Sequence, residues 1–482
     1  MVDGGFPNFY GPFFLHGPAF FYLEAGWARL YGSSLSAVSL DRIPSNLIAL
    51  IYEMRTLNAV IAAATAVVLV ILGARTASLW SGAAAGLLFA LDPFCIRQND
   101  RVLLETALML WVMLGYLVFT TLIDRRLSRG TSARAVLAGL FFGIAVLTKD
   151  EGALLTMLPL LATMVLRWGP DRRLTLITIV TTVDVYIAYV TVVAANGKSS
   201  LLWQAKTAGI VRMLGVVQTS GFHSSGGGSL KSRLFAEVNF FGTTYLLLAL
   251  AVVAALVLLR TGTNQQRMLG LLYCAGGVTL AYAVGLGTLE EQELYLLIVP
   301  SLLIVPVAVT VLRTAIQRRR RPATPKKRGV AWTAALTSAL VLILGINLAT
   351  VVQWIRQPDD GFARLALYVT AHVPAGTAIG AIEGDIESPY ALGAKYNVGY
   401  WETSVALTRA HARYVVVEWG PVEEGYSDKT PAQVRQLLAH GKVVFSFNER
   451  TYGDLELYQL PASPRLFSSQ SFSSRRCLGR AG

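Results

Sequence analysis

Charge is what this sequence has least of. Asp, Glu, Lys and Arg make up 15% of its 482 residues while apolar residues make up 54%. That balance is far from a soluble globular chain, so most of the protein must sit in lipid. Acid is scarcer than base: 29 Asp and Glu stand against 42 Lys and Arg, a formal net charge of +13. In a soluble protein such an excess would point to nucleic acid. Here the basic residues fall in short loops between apolar runs, as the positive-inside rule expects of cytoplasmic loops, and nucleic acid is set aside as a partner. Cysteine is nearly absent: Cys95, Cys274 and Cys477 form neither a disulfide framework nor a zinc spacing. Residues 1–19 contain no Lys or Arg but do contain Pro7, Pro12 and Pro18, so they read as neither a signal peptide nor a spanning helix.

What is abundant is long apolar runs. Ten reach toward the length needed to cross a ~30 Å hydrocarbon core, near 56–74, 77–92, 102–123, 135–149, 152–168, 174–195, 241–259, 269–287, 294–312 and 331–353. The run at 77–92 and the pair flanking Lys149 are short, which suits half-spanning or tilted helices. Arg125, Arg126, Arg129, Arg134, Arg167, Arg172, Arg173, Arg260, Arg267 and the block Arg318 to Arg328 share one side, the cytoplasm by the same rule. The other side receives residues 1–55, the turn Asp92 to Arg101, the Lys149-Asp150-Glu151 turn, the loop 196–240, the turn Glu290 to Glu293 and everything after Trp354.

The fold class expected is a polytopic α-helical membrane protein of about ten spans with a C-terminal exterior α/β domain. Residues 1–55 read as an exterior loop with an interfacial helix, 56–353 as the transmembrane domain, 354–460 as the soluble α/β domain and 461–482 as a Ser-rich, disordered tail. In the soluble part, Phe362, Leu365, Ala366 and Val369 lie at helical spacing. Strands are expected at 378–382, 414–417, 443–447 and 455–460, with a helix capped by Thr430 and opened by Pro431 before Gly441. Phe20, Leu23, Trp27 and Leu30 lie on one helical face, suiting either a helix in the interface plane or a packed one.

The order of several segments carries more than any one alone: F-L-H-G-P-A-F-F-Y-L-E-A-G-W-A-R-L-Y-G at 14–32, M-R-T-L-N-A-V at 54–60, D-P-F-C-I-R-Q-N-D-R-V-L-L-E at 92–105, G-I-A-V-L-T-K-D-E-G at 143–152 and E-E-Q-E-L-Y-L-L-I-V-P at 290–300. Together they resemble the GT-C superfamily of membrane glycosyltransferases, in the branch of protein O-mannosyltransferases and lipid A aminoarabinose transferases. The resemblance implies an enzyme of the plasma membrane that moves a hexose or pentose from a polyprenyl-phosphate donor to an acceptor glycan, lipid or protein on the outer face, with inversion. In the family the catalytic acid lies after a first span, upstream of the segment matched here at 14–32. Asp3 is the one acid ahead of that match, and the expectation is a shortened chain whose family base lies upstream.

Chemistry then selects residues. A lipid-linked donor presents its phosphate at the membrane surface, where cations at helix ends can hold it: Arg97, Arg101 and Lys149, with Tyr295 as a hydroxyl donor. The ordinary alternative is snorkelling cations and an interfacial tyrosine. An inverting transfer needs a carboxylate to take the acceptor's proton, and Asp3, Asp100 and Asp150 are the candidates, with Asp92 and Glu151 nearby. Asp92 could simply open a turn, and Asp100 could simply pair with Arg97 or Arg101. Glu105, inside a span, needs a buried partner, which assigns it to the cavity. His16, Glu290 and Glu291 face the same side; the acidic turn could orient sugar hydroxyls or hold a divalent cation, though no cofactor is called for. Asp184, mid-span, must be paired, protonated or turned to a polar cavity. The loop 221–229, with His223 and a run of glycines, reads either as a flexible exterior loop that could gate the cavity or as plain disorder. Two other functions remain open, a flippase or transporter of lipid-linked sugars and an inactive membrane scaffold. The absence of convincing internal repeats and the polar residues at one end of the spans favour surface chemistry.

Overall fold

The computed structural model describes residues 16–30, 43–214, 221–222, 229–286, 288–319, 325–382, 387–393, 395–427 and 429–461. Asp3, His223 with the glycines that follow it, and the tail 462–482 lie outside the described residues. The helices run in chain order α1 (Ala19–Leu30), α2 (Ile43–Thr76), α3 (Leu79–Leu91), α4 (Pro93–Asp100), α5 (Leu104–Phe119), α6 (Arg129–Thr148), α7 (Gly152–Leu166), α8 (Arg172–Ala195), α9 (Ser199–Met213), α10 (Leu230–Ala236), α11 (Val238–Thr261), α12 (Asn264–Leu286), α13 (Tyr295–Arg319) and α14 (Pro325–Ile355).

Among the described residues, eight helices are long and apolar enough to cross a membrane unaided: α2, α5, α6, α8, α11, α12, α13 and α14. The apolar run at 77–92 is α3, and it continues into α4 across a 56° bend, the geometry of a broken span or a re-entrant loop. Pro93 explains the break. A proline drives the residue before it out of the helical region, and Asp92 is extended (ψ 122°), with its carboxylate accepting from the Cys95 N–H at 3.0 Å to cap α4. The run at 152–168 becomes α7, fifteen residues long with Pro159 inside, about 22 Å at 1.5 Å per residue and too short for a full crossing.

Small residues bring the spans together. In α6 the positions Ala135, Gly139 and Gly143 recur every four residues and face α8; an added Cβ on Gly139 would lie 2.6 Å from Thr181 Cβ and 2.7 Å from the Thr178 carbonyl oxygen. That closeness lets Thr178 and Thr182 donate to the carbonyls of Ala135 and Gly139, each at 3.2 Å, the kind of interhelical bond that replaces the hydrophobic effect inside lipid. The bundle core runs through α13, whose Leu296, Ile298, Val299, Leu302, Leu303 and Ile304 are fully buried. Helix α1 is a packed helix: Phe20 joins Leu57, Ile61 and Ala107, Leu23 and Trp27 pack beside them, and Trp27 donates to Thr56. Leu30, expected on the same face, is 82% exposed.

The C-terminal part consists of α15 (Gly361–His372), β1 (Ala378–Ala381), α16 (Glu387–Leu392), β2 (Asn397–Gly399), α17 (Ser404–Arg409), β3 (Tyr414–Glu418), α18 (Trp419–Glu423), α19 (Pro431–Leu437), β4 (Lys442–Glu449) and β5 (Gly453–Gln459). The sheet order is β2-β1-β3-β5-β4, parallel through β2-β1-β3 and antiparallel for β5 against both β3 and β4. Val416 packs with Phe362, Leu365 and Val369 of α15, while Val415 and Val417 pack with Leu407, Val434 and Leu438 on the opposite face. Helices cover β3 on both faces, so it reads as an unbroken Tyr-Val-Val-Val run rather than an alternating one.

Candidate active site

Three turns meet at the end of the bundle that faces the C-terminal sheet: α4 into α5, α6 into α7, and residues 288–294 before α13. The first turn carries Arg97 and Arg101 four residues apart, one helical turn along α4 and its C-cap. Both are buried, at 7% and 5% exposure. Neither arrives bare. Arg97 pairs with Glu291 and lies over the Phe241 ring at 4.5 Å. Arg101 grips Glu424 of the C-terminal part with two nitrogens, one at 2.9 Å, and also donates to the Thr451 carbonyl at 3.1 Å. Arg233 of α10 completes the group, reaching Glu291 at 3.1 Å and Glu424 at 3.2 Å. Three guanidiniums thus share two buried carboxylates. Burial alone would raise the Glu424 carboxyl, but Arg101, then Arg97 and Arg233, hold it down at about 2. Beside this group lies a cavity of about 240 Å³, lined on the bundle side by Phe240, Phe241 and Trp354 and on the sheet side by Trp419, Glu423 and Arg450.

A second ionic group ties the same two parts together. Asp100 is not the partner of Arg97 or Arg101; it accepts from Arg450 at 3.1 Å and lies 4.0 Å from Arg55, while Arg450 also reaches Asp359 at 2.9 Å and Arg55 pairs with Asp359. The sequence puts Asp100 close to Arg97 and Arg101, but the helix turns its carboxylate toward the β4–β5 hairpin instead. Asp92 is the cap of α4 and accepts from Thr244 at 2.7 Å.

The third group surrounds Lys149, the C-cap of α6. Its ammonium donates to Glu105 at 2.6 Å and lies 3.4 Å from Glu151, so Glu105 does have the buried partner its position requires. Burial pulls the Lys149 ammonium downward, and Glu105, Glu151, Glu293 and Glu290 together outweigh it and raise the group. Asp150 accepts from Lys206 of α9 at 2.6 and 2.9 Å; burial raises its carboxyl against that lysine. Glu290 accepts from Gln292 at 2.7 Å. His16 enters from the start of the described chain. Its neighbour Gly17 sits so close to the end of α6 that a Cβ there would lie 2.2 Å from the Leu147 carbonyl oxygen, which brings the imidazole within the electrostatic influence of Lys149. Burial, and then the Lys149 charge, lower the His16 imidazole to about 4, so it is neutral, and its Nδ1 is buried with no hydrogen-bond partner among the described residues.

Tyr295 is fully buried and donates to Asn99 Oδ1 at 2.8 Å, where Thr106 also donates at 3.0 Å; this buttresses α4 against α13. Asp184 is exposed on the surface of α8. Arg55, Arg233, Lys206, Asp359, Glu424 and Arg450 were not among the sequence candidates. Their signal was only charge in segments assigned to the same side, and their partners lie far off in the chain. Among the described residues no group of three or more His, Cys, Asp or Glu is placed to hold a metal ion.

Residues 16–195 match the family model of the dolichyl-phosphate-mannose-protein mannosyltransferases. No curated protein sequence matches the chain. Solved structures that share its fold include two bound to a lipid phosphate. The archaeal oligosaccharyltransferase AglB from Archaeoglobus fulgidus, in complex with an inhibitory peptide and a dolichol-phosphate, aligns with TM-score 0.57 at 11% identity, covering 93% of this chain and 67% of that one. ArnT from Cupriavidus metallidurans, bound to undecaprenyl phosphate, aligns with TM-score 0.51 at 14% identity, covering 94% of this chain and 89% of that one.

Proposed function

We propose that this chain, a membrane glycosyltransferase of the GT-C superfamily in the protein O-mannosyltransferase and aminoarabinose-transferase branch, moves a hexose or pentose from a polyprenyl-phosphate donor to an acceptor beneath its C-terminal domain. The observation that carries the assignment of the site is the Lys149 group. His16, Glu105, Lys149, Asp150 and Glu290, widely spaced in the chain, converge at one end of the bundle, and all but Glu290 lie in the matched segment. The positive-inside argument makes that end the outer one, with the C-terminal domain, 354–460, outside.

In the transfer, the bond between the sugar's anomeric carbon and the donor phosphate oxygen breaks as the acceptor oxygen attacks from the opposite face. The leaving phosphate gains charge, and a cation already placed there stabilises it without reorganisation. Lys149 supplies that charge, held in place by Glu105. His16 stands beside it with an imidazole nitrogen available to the phosphate; the anion's arrival favours the protonated form and makes it a second donor. Arg97 and Arg101, spoken for by Glu291 and Glu424, act instead as the frame that seats the C-terminal domain over the site, and Tyr295 as part of the wall. Asp150, with its raised carboxyl at the turn beside Lys149, is the described candidate for taking the acceptor hydroxyl proton; Asp3 is the candidate outside the described residues. Glu290 is positioned to orient sugar hydroxyls.

Membranes carrying the protein, supplied with radiolabelled polyprenyl-phosphate hexose or pentose, should pass label to an endogenous acceptor. Lys149→Gln should lower kcat/KM by about 10²- to 10³-fold, the usual cost of losing one preorganised charge partner of a leaving group. A variant within twofold of the parent would remove Lys149 from the phosphate site. Lipid-linked sugar crossing sealed vesicles with no transfer would make the protein a flippase.

A further inference from the structure

Glycosyl transfer gives no work to Asp184. It lies midway along α8, with roughly 17 Å of helix on either side at 1.5 Å per residue, the depth of the bilayer centre. It is exposed there together with Leu176, Val180, Val183 and Ile187, an apolar stripe at helical spacing. Two hydroxyls of the same helix go the other way: Thr178 and Thr182 are buried against α6. Among the described residues Asp184 has no hydrogen bond or ion pair.

A carboxyl group turned toward acyl chains at that depth is costly, and residues of this kind normally pair. Lys or Arg could stretch to the interface, but the aspartate side chain has a single methylene and cannot. The basic residues of the described spans lie toward helix ends, Arg75 and Arg260 in last turns, Arg134 and Arg267 in the opening turns. A second copy of the chain would therefore bring another Asp184 to this depth rather than a cation. Farther along the same face, Ala188 and Thr191 are also exposed; their small side chains allow another backbone to approach closely, as membrane helix pairs require.

We infer that the outward face of α8 is the docking surface for a spanning helix of a partner membrane protein that carries a Lys or Arg at mid-bilayer depth, paired with Asp184. The contact does not depend on the reaction assigned to the Lys149 group.

The test uses the full chain, fluorescently labelled and reconstituted in phosphatidylcholine vesicles, with two synthetic probes: a Leu/Ala spanning peptide with one central lysine, and the same peptide with leucine there. Energy transfer should report at least tenfold tighter association of the lysine peptide with the parent protein. Asp184→Leu should erase that preference and Asp184→Glu should keep it, while the thermal midpoint of Asp184→Leu, measured alongside, stays equal to or above the parent's. Equal binding of the two peptides, or a preference that survives Asp184→Leu, overturns the inference. So does two-step photobleaching of single parent molecules that Asp184→Leu reduces to one step, since a second copy would then be the occupant.

Discussion

Lys149 carries its charge inside the fold because Glu105 and Glu151 stand beside it, and that pairing separates a structural role from a chemical one. Removing one member of a buried pair typically costs about 3–5 kcal/mol because the other is left uncompensated, whereas replacing both by apolar groups can be nearly neutral. Glu105→Gln should thus lower the unfolding midpoint in detergent. Glu105→Leu with Lys149→Met should recover much of the loss yet stay inactive, and recovery of transfer with the fold would show that the pair only holds the helices together. His16 gives a second signature. Its folded value of about 4 lies below the ordinary 6.5, so the folded state resists protonation: its contribution is complete above pH 6.5 and lost as pH falls toward 4, by at most about 3 kcal/mol. His16→Gln should flatten the unfolding midpoint between pH 7 and pH 5 relative to the parent, and an unchanged pH profile would place the imidazole in water. At this scale the sequence exposed the cations, because a lone Lys or Arg beside an apolar run is visible, but hid their partners. Glu424 is 323 residues from Arg101, and no local pattern links them.

Among the elements, the most legible were those that local chemistry fixes. Thr430 and Pro431 open α19, where Thr430 and Gln433 close a reciprocal cap, and the four expected strands all appear. The missed strand, β2, has three residues, Asn-Val-Gly, too few to show a period; it forms because β1 offers a parallel edge beside it. The bend at Pro93 was readable as a boundary, but its consequence, an apolar run bent by 56° into two helices, depends on what α4 packs against. The α6–α8 seam is a tertiary result written in spacing: Gly139 and Gly143 sit one turn apart, and only the structure assigns that face to α8. Gly139→Leu should force these helices apart, since even a Cβ has no room there, at a cost of about 1–3 kcal/mol typical of overpacking. An engineered cysteine pair across the seam should crosslink in the parent and lose that crosslink in Gly139→Leu, while Gly130→Leu, in open space near the start of the same helix, should leave it intact.

Across the described residues, ion pairs join the C-terminal sheet to the bundle. Arg101, Arg97 and Arg233 meet Glu424, and Asp100 meets Arg450, while the segment entering α15 offers Asp359 to Arg55 and Arg450. The backbone continues the contact, Glu291 N–H donating to the Glu424 carbonyl at 3.0 Å and Gly221 N–H to the Gly425 carbonyl. These joints lie at the same end of the bundle as the Lys149 group, Tyr426 beside Glu424 feeling the charges of Glu105 and Glu290. Because Glu424 is held at about 2, below its ordinary 4.5, its contribution to docking is complete above pH 4.5 and fades as pH falls toward 2. Glu424→Gln should reproduce the low-pH state at neutral pH, leaving three guanidiniums with one buried carboxylate fewer. Amide exchange across 414–424 and 450–454 should then rise, and trypsin should release the C-terminal domain sooner, while the bundle helices keep the parent's protection. Since Glu424 is buried, 0.5 M salt should change the parent's exchange little, in contrast to a surface pair. If Glu424→Gln leaves both exchange and cleavage unchanged, the domain is held by other contacts, such as that of its β4–β5 hairpin with Trp354, and the arginine cluster is free to serve as an anion site after all.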